Sequence, residues 1–301
     1  MTNRTAQKKK SQTQAKAKPK AKGSGARRRQ PQRRRPGFAA FAIGAVVLVV
    51  LGMVGFSLYN HVKTPSTPGT SASARVVREV TSVPAAALDS VGAGSGVSAP
   101  GALPAGTPPI ESGGKPLVLY VGAEYCPYCA AERWAMVVAL SRFGSFSGLG
   151  LTTSSSTDIF PSTRTLTFHG SSYTSDLIAF EGVETQSNKL SATGSYEALE
   201  TPTATQQQLF STYNPNGGIP FTLIGNRYVI SGASFRPEVL QGKSWQEISA
   251  ALSDPASPIA KQVLGAANTI TAAICTLTNG QPTDVCTSPG VTAAASALPA
   301  S

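Results

Sequence analysis

Two cysteines held two residues apart, Cys126-Pro127-Tyr128-Cys129, stand where an apolar, β-rich run gives way to a helix. Leu117-Val118-Leu119-Tyr120-Val121 has the length and content of a buried strand. Gly122-Ala123-Glu124-Tyr125 turns the chain. The helix expected from Pro127 carries Ala130, Trp134, Val137, Val138 and Leu140 toward a stop near Gly144. Cysteines at this spacing on a helix start can close a disulfide with little backbone movement. The helix N-terminus also presents unpaired N–H groups and a positive partial charge, and both favour a thiolate at the first position. Proline fits the first helical turn, where its missing N–H costs nothing. Cys126 is therefore the expected attacking sulfur and Cys129 the resolving sulfur.

The rest of the globular region reads as α/β. Arg164 to His169 and Asp176 to Val183 read as strands and Thr203 to Tyr213 as a helix. Phe221 to Ile224 and Arg227 to Ile230 read as a hairpin across a two-residue Gly225-Asn226 loop. Ser244-Trp245-Gln246-Glu247 is a capping box, and Pro258 to about Leu277 is a further helix. The other two cysteines, Cys275 and Cys286, flank Asn279-Gly280-Gln281-Pro282, a spacing that permits a structural disulfide. An even, locally paired cysteine count suits an oxidising compartment.

The net charge of +11 does not describe this body. Fourteen of the 26 Lys and Arg fall in residues 1–37, which hold no Asp or Glu; the remaining 12 face all 15 acidic residues, a net of −3. Specific nucleic-acid binding is not indicated. The basic segment, poor in large apolar side chains, reads as a disordered cytoplasmic tail lying against anionic lipid. Residues 38–59 form an uncharged apolar stretch of 22 residues, the length of a single transmembrane helix. Arg33 to Arg35 before it place the N-terminus in the cytoplasm and the remainder outside. A cleavable signal peptide is the rival reading, with a shorter apolar core than this stretch. Residues 60–114, rich in Pro, Ser, Gly and Ala, read as a flexible linker, 115–288 as the folded domain and 289–301 as a disordered tail. Val76 to Val83 could form a short local element within the linker.

Other chemistries fit less well. Zinc needs two ligands beyond Cys126 and Cys129, and only Cys275, Cys286, His61 and His169 remain to supply them. A cysteine hydrolase would have His169 as its base. The Cys126/Cys129 pair could also be an inert structural disulfide. No metal and no cofactor are expected.

Val118 to Cys129 resembles the redox segment of the thioredoxin superfamily, and the Pro127-Tyr128 dipeptide resembles that of glutaredoxins. Gly217-Gly218-Ile219-Pro220-Phe221 resembles the cis-proline loop that leads into a hairpin in that family. Most of residues 115–285 also resembles an uncharacterised family of membrane-anchored thioredoxin-like proteins of actinobacteria and archaea. This likeness rests on Tyr125 to Cys129 with Glu132-Arg133-Trp134, on Asp158 to Pro161, on Phe168 to Tyr173 and on Gly218 to Pro220. The resemblance implies a thioredoxin-like fold, with a central mixed sheet flanked by helices and a long insertion between the motif helix and Pro220. It implies that Pro220 is cis and faces the dithiol, with Ile219, Tyr125 and Tyr128 contacting substrate. Tyr120 stands where thioredoxins carry a buried Asp, and Tyr125 where they carry Trp; Glu124 is a candidate proton relay. The expected activity is thiol–disulfide exchange on extracytoplasmic proteins, with a membrane redox partner. The alternative is a non-catalytic partner-binding module.

Overall fold

The computed structural model describes residues 72–300. The basic segment 1–37, the apolar stretch 38–59 and the first part of the expected linker lie outside the described residues. No helix among the described residues is long and apolar enough to cross a membrane.

In chain order the elements begin with helices α1 (Ala72–Thr81) and α2 (Ala85–Val91). Two short strands, β1 (Gly101–Ala102) and β2 (Glu111–Ser112), precede the long strand β3 (Lys115–Gly122) and helix α3 (Pro127–Leu140). Strands β4 (Ser145–Ser147), β5 (Gly150–Thr153), β6 (Arg164–Thr167) and β7 (Ser172–Thr174) follow. Next come β8 (Ala179–Glu184), β9 (Gln186–Leu190) and β10 (Tyr196–Ala198). Helix α4 (Ala204–Tyr213) leads to strands β11 (Phe221–Ile224) and β12 (Tyr228–Ser231). Helices α5 (Trp245–Ala251), α6 (Pro258–Leu277), α7 (Thr283–Cys286) and α8 (Pro289–Ala295) complete the described chain.

Strand β3 organises the main sheet. It runs antiparallel to β11, with Val121 opposite Phe221, and parallel to β8, with Leu117 opposite Ala179. Strands β12 and β1 extend the sheet beyond β11, and β2 pairs with the first two residues of β3. The result is a six-stranded mixed sheet. Because side chains alternate along a strand, Val118 and Tyr120 join the core beneath α3 and α6. Leu117, Leu119 and Val121 join a second core against Leu209 and Phe210 of α4. Both faces are covered, so β3 is buried on both sides from Leu117 onward and reads as an apolar run over Leu117–Val121 instead of alternating. The expected mixed sheet flanked by helices is present.

Much of the local reading matches. Thr203 and Ser244 cap α4 and α5 through full capping boxes. The hairpin loop is one residue longer than expected, because Arg227 lies in the turn and Gly225 takes a positive φ of 52°. Strand β6 does not enter the main sheet; it pairs antiparallel with β5 in a two-stranded ribbon.

The linker boundary is corrected. From residue 72 onward the stretch assigned to the linker is part of the fold. Val76 and Val80, one helical turn apart on α1, are fully buried, as is Leu88 of α2 to within 3%. Asn268 of α6 donates from Nδ2 to the carbonyls of Leu88 and Gly92, at 2.8 Å each, and so satisfies the end of α2. Gly265 lets α6 approach this turn; a Cβ there would lie 2.7 Å from the Ala93 carbonyl. The Pro/Gly-rich part that follows joins the sheet through β1 and β2, where backbone pairing needs no large side chain. The C-terminal tail is corrected likewise: α8 buries Val291 and Ala294. Small side chains there make the contact by close approach instead of by bulk.

Cys275 and Cys286 are bonded, at S–S 1.95 Å, and tie the end of α6 to α7. Closing a loop of 11 residues' separation contributes about 3 kcal/mol in the chain-entropy account.

Candidate active site around Cys126 and Cys129

Cys126 is the N-cap of α3, in extended conformation, and Pro127 fills the first helical position. Its Sγ accepts the Cys129 backbone N–H at 3.2 Å, which is the N-terminal donor arrangement expected from the spacing. Both thiols are free. Cys126 keeps 6% of its surface and Cys129 none. The environments push the two thiols apart. Hydrogen bonding from Cys129 lowers the Cys126 pKa against the opposing effect of burial, helped by backbone N–H groups and the Arg133 charge. Burial, followed by the hydrogen bond to Cys126, pushes the Cys129 thiol well above its usual range. A first thiol with a lowered pKa and a little exposed surface, before a fully buried second one whose pKa is raised, is the asymmetry that ordered disulfide exchange requires.

The loop before β11 closes over the first thiol. The Ile219–Pro220 peptide is cis, and Cys126 Sγ lies 3.8 Å from the Ile219 carbonyl. Asn214 Nδ2 holds this loop by donating to the Gly218 carbonyl at 2.7 Å. Pro220 is buried and Ile219 half-buried.

The other side of the motif is held by the segment between α3 and α4. The Ser155 N–H donates to the Tyr125 carbonyl at 2.8 Å. Tyr196 stacks on Tyr125 at 4.2 Å, and its hydroxyl donates to Ser155 Oγ at 2.7 Å. Phe160 meets Tyr128 edge-on at 6.0 Å. Tyr125, Tyr128, Ile219 and Pro220, named from sequence, are therefore gathered around Cys126. Glu124 is half-buried in the turn, its N–H donating to the Gln186 carbonyl at 2.8 Å. His169 is bound through Nδ1 to Glu200 at 2.7 Å. Among the described residues no group of three or more His, Cys, Asp or Glu side chains could hold a metal ion.

Three buried polar side chains behind the motif were not singled out by chemistry in the sequence reading. Arg133 and Glu184 form a fully buried ion pair through two hydrogen bonds of 2.7 Å, and Arg133 Nη2 also donates to the Ala123 carbonyl at 2.7 Å. Glu132 has a different partner, accepting from the Ser234 N–H at 2.7 Å and from its hydroxyl at 3.0 Å. The available signal was two adjacent charges in a helix otherwise apolar all round, since a buried helix tolerates charges only when they are paired or hydrogen-bonded.

Burial pushes Glu132 up to about 7, against the Ser234 hydrogen bonds. A carboxyl whose pKa is raised on folding stabilises fully below the ordinary carboxylate range, and that contribution is lost as pH rises through about 7. Glu132→Gln keeps the size and the bond from the Ser234 N–H without the charge. Urea unfolding should show wild-type stability falling by up to about 3 kcal/mol from this group between about pH 4 and about pH 8, and the variant should lack that fall. Equal pH slopes in the two proteins would refute the assignment.

Residues 106–276 match the model of a family described as a domain of unknown function, DUF929. No curated protein and no solved structure matches the chain.

Proposed function

The chain belongs to the DUF929 family, and from that premise we propose that it is a thiol–disulfide oxidoreductase of thioredoxin-like architecture. In this reading residues 38–59 anchor it in the membrane by a single pass. The folded domain acts outside the cytoplasm on proteins bearing thiols or disulfides, and a membrane redox partner resets it. The observation that carries the reading is the Cys126 sulfur capping α3, 3.2 Å from the Cys129 N–H, with Cys129 buried behind it. The bonded Cys275–Cys286 pair supports an oxidising location.

The Cys126 thiolate attacks a substrate disulfide. The substrate S–S bond breaks, one substrate sulfur leaves as a thiolate that takes a proton from water, and a mixed disulfide with Cys126 forms. Cys129 then gives up its proton and attacks Cys126 Sγ. The Cys126–Cys129 bond forms, and the second substrate sulfur leaves and is protonated in turn. The dithiol loses two electrons and the substrate gains them; the reverse sequence oxidises a substrate dithiol. Ile219 and Pro220 on one side, and Tyr125 and Tyr128 on the other, form the rim on which the substrate backbone rests.

The test is equilibration of the purified full chain in graded thiol–disulfide buffers, with the cysteines counted by alkylation and mass spectrometry. Cys126 and Cys129 should convert together as one two-electron couple, and the protein should exchange disulfides with a reducible protein substrate. A pair that converts without ever exchanging with substrate would leave a partner-binding module as the better reading.

A further inference from the structure

The Arg133–Glu184 pair ties α3 to the end of β8. Glu184 ends β8 opposite Gly122 of β3, in a parallel register that also sets Tyr120 opposite Gly182. Tyr120 and Gly122 share a face of β3, and the tyrosine hydroxyl occupies the space a side chain at 122 would fill. Arg133, one helical turn beyond Cys129, reaches the same place from α3 and binds the Ala123 carbonyl, the carbonyl that also accepts the Cys126 N–H at 3.3 Å. Two polar atoms in this cluster are buried without a hydrogen-bond partner among the described residues: Arg133 Nη1 and the Tyr120 hydroxyl. An unpartnered buried donor is costly and calls for a reason.

Resting on the oxidoreductase reading, we propose that Arg133 is a positioning residue for the dithiol. It supplies, from between α3 and the end of the sheet, the positive charge against which the cysteine sulfurs carry negative charge during exchange, while Glu184 keeps it buried and oriented. Glu184 satisfies one edge of the guanidinium and leaves Nη1 free. The charged and titratable groups facing the dithiol are Tyr120 and Glu184 from the sheet, Tyr125 from the turn and Arg133 from the helix, with Glu124 beside Glu184. Among the described residues Arg133 is the one cation in that set. Its charge acts on both thiols in the direction of ionisation, whereas Glu184 and Tyr120 oppose it or are neutral. Resolution by Cys129 would then draw on a fixed charge instead of a neighbouring carboxylate that takes its proton.

Removing Arg133 alone leaves a buried, unpaired carboxylate, which is strongly destabilising; replacing both partners by apolar groups of similar volume is often neutral. The test therefore compares the full chain as wild type, Arg133→Lys and the double variant Arg133→Met with Glu184→Met. Cys126 ionisation is read from thiolate absorbance and from the pH dependence of its alkylation, mapped by mass spectrometry. The double variant should ionise about one pH unit higher, giving about tenfold slower alkylation below that range. The lysine variant, which keeps the charge, should stay close to wild type. An unshifted double variant would overturn the proposal. So would a lysine variant shifted as far as the double, since the effect would then follow packing and not charge. Failure of the exchange reading looks different: a wild type that ionises low and loses that property in the double variant, yet exchanges no substrate disulfide, would refute the oxidoreductase and leave the Arg133 assignment standing.

Discussion

Cys129→Ala is expected to accumulate mixed disulfides with extracytoplasmic proteins, and Cys126→Ala to accumulate none and to lose disulfide exchange by on the order of 100-fold or more. The asymmetry follows from position. Cys126 caps the helix, keeps some exposed surface and has a lowered pKa because Cys129 hydrogen-bonds to it. Cys129 has no exposed surface, and burial holds its thiol protonated. With Cys126 gone, the remaining sulfur can neither reach a partner nor ionise readily. With Cys129 gone, Cys126 still attacks but nothing releases the product. Part of the lowering at Cys126 comes from Cys129 itself, so the Cys129→Ala protein should ionise at somewhat higher pH than wild type while still trapping partners. Non-reducing electrophoresis of affinity-purified variants, with the attached cysteine mapped by mass spectrometry, checks each statement. Equal alkylation of the two cysteines in the wild type, joined to an absence of trapped species from Cys129→Ala, would mean that the pair is structural.

What the sequence made legible was local. The strand β3, the cap at Cys126, the boxes at Thr203 and Ser244 and the helix over Pro258–Leu277 all depend on residues close in the chain. So does the pairing of Cys275 with Cys286. The approach of Ile219-Pro220 to Cys126 spans 93 residues, and it was reached through resemblance and not through spacing. What the sequence hid was held by distant partners or by backbone. Val76 and Val80 lie in a stretch whose composition suits a tether, yet two valines one turn apart suffice once α3 and α5 supply a surface. Gly101 and Ala102 pair with Val229 and Tyr228 through main-chain bonds, which leave no apolar pattern to read. The Arg133–Glu184 pair joins positions 51 residues apart, and nothing near either residue names the other. The candidate site was thus legible in its first layer, the dithiol and its rim, and not in the charged layer behind it.

Trp134→Ala should cost about 3–5 kcal/mol, the range for deleting a large aromatic from a packed core, and the damage should spread to the rim of the candidate site. Trp134 is fully buried on α3, and its Nε1 donates to the Arg164 carbonyl at 2.9 Å. The neighbouring contacts repeat the connection. Thr165 Oγ1 donates to the Ala130 carbonyl at 2.7 Å. Trp245 Nε1 donates to the Thr165 carbonyl at 2.8 Å, and the Arg164 guanidinium lies 4.6 Å from the Trp245 ring centre. Strand β6 is therefore fastened to the motif helix at successive residues. Just before it, the Thr163 N–H donates to Ser154 Oγ at 2.9 Å, and the next residue, Ser155, binds the Tyr125 carbonyl. Loosening β6 thus loosens the hold on Tyr125 and the shielding of the dithiol. Trp134→Phe keeps most of the ring volume but leaves the Arg164 carbonyl without its donor, and should cost about 1–3 kcal/mol. Chemical denaturation of the full chain measures both costs. Alkylation of Cys129 under native conditions reports the site; it should be faster in the alanine variant and near wild type in the phenylalanine variant. A loss under about 1 kcal/mol for alanine, or an unchanged Cys129 rate beside a large loss, would show that β5 and β6 do not brace the dithiol.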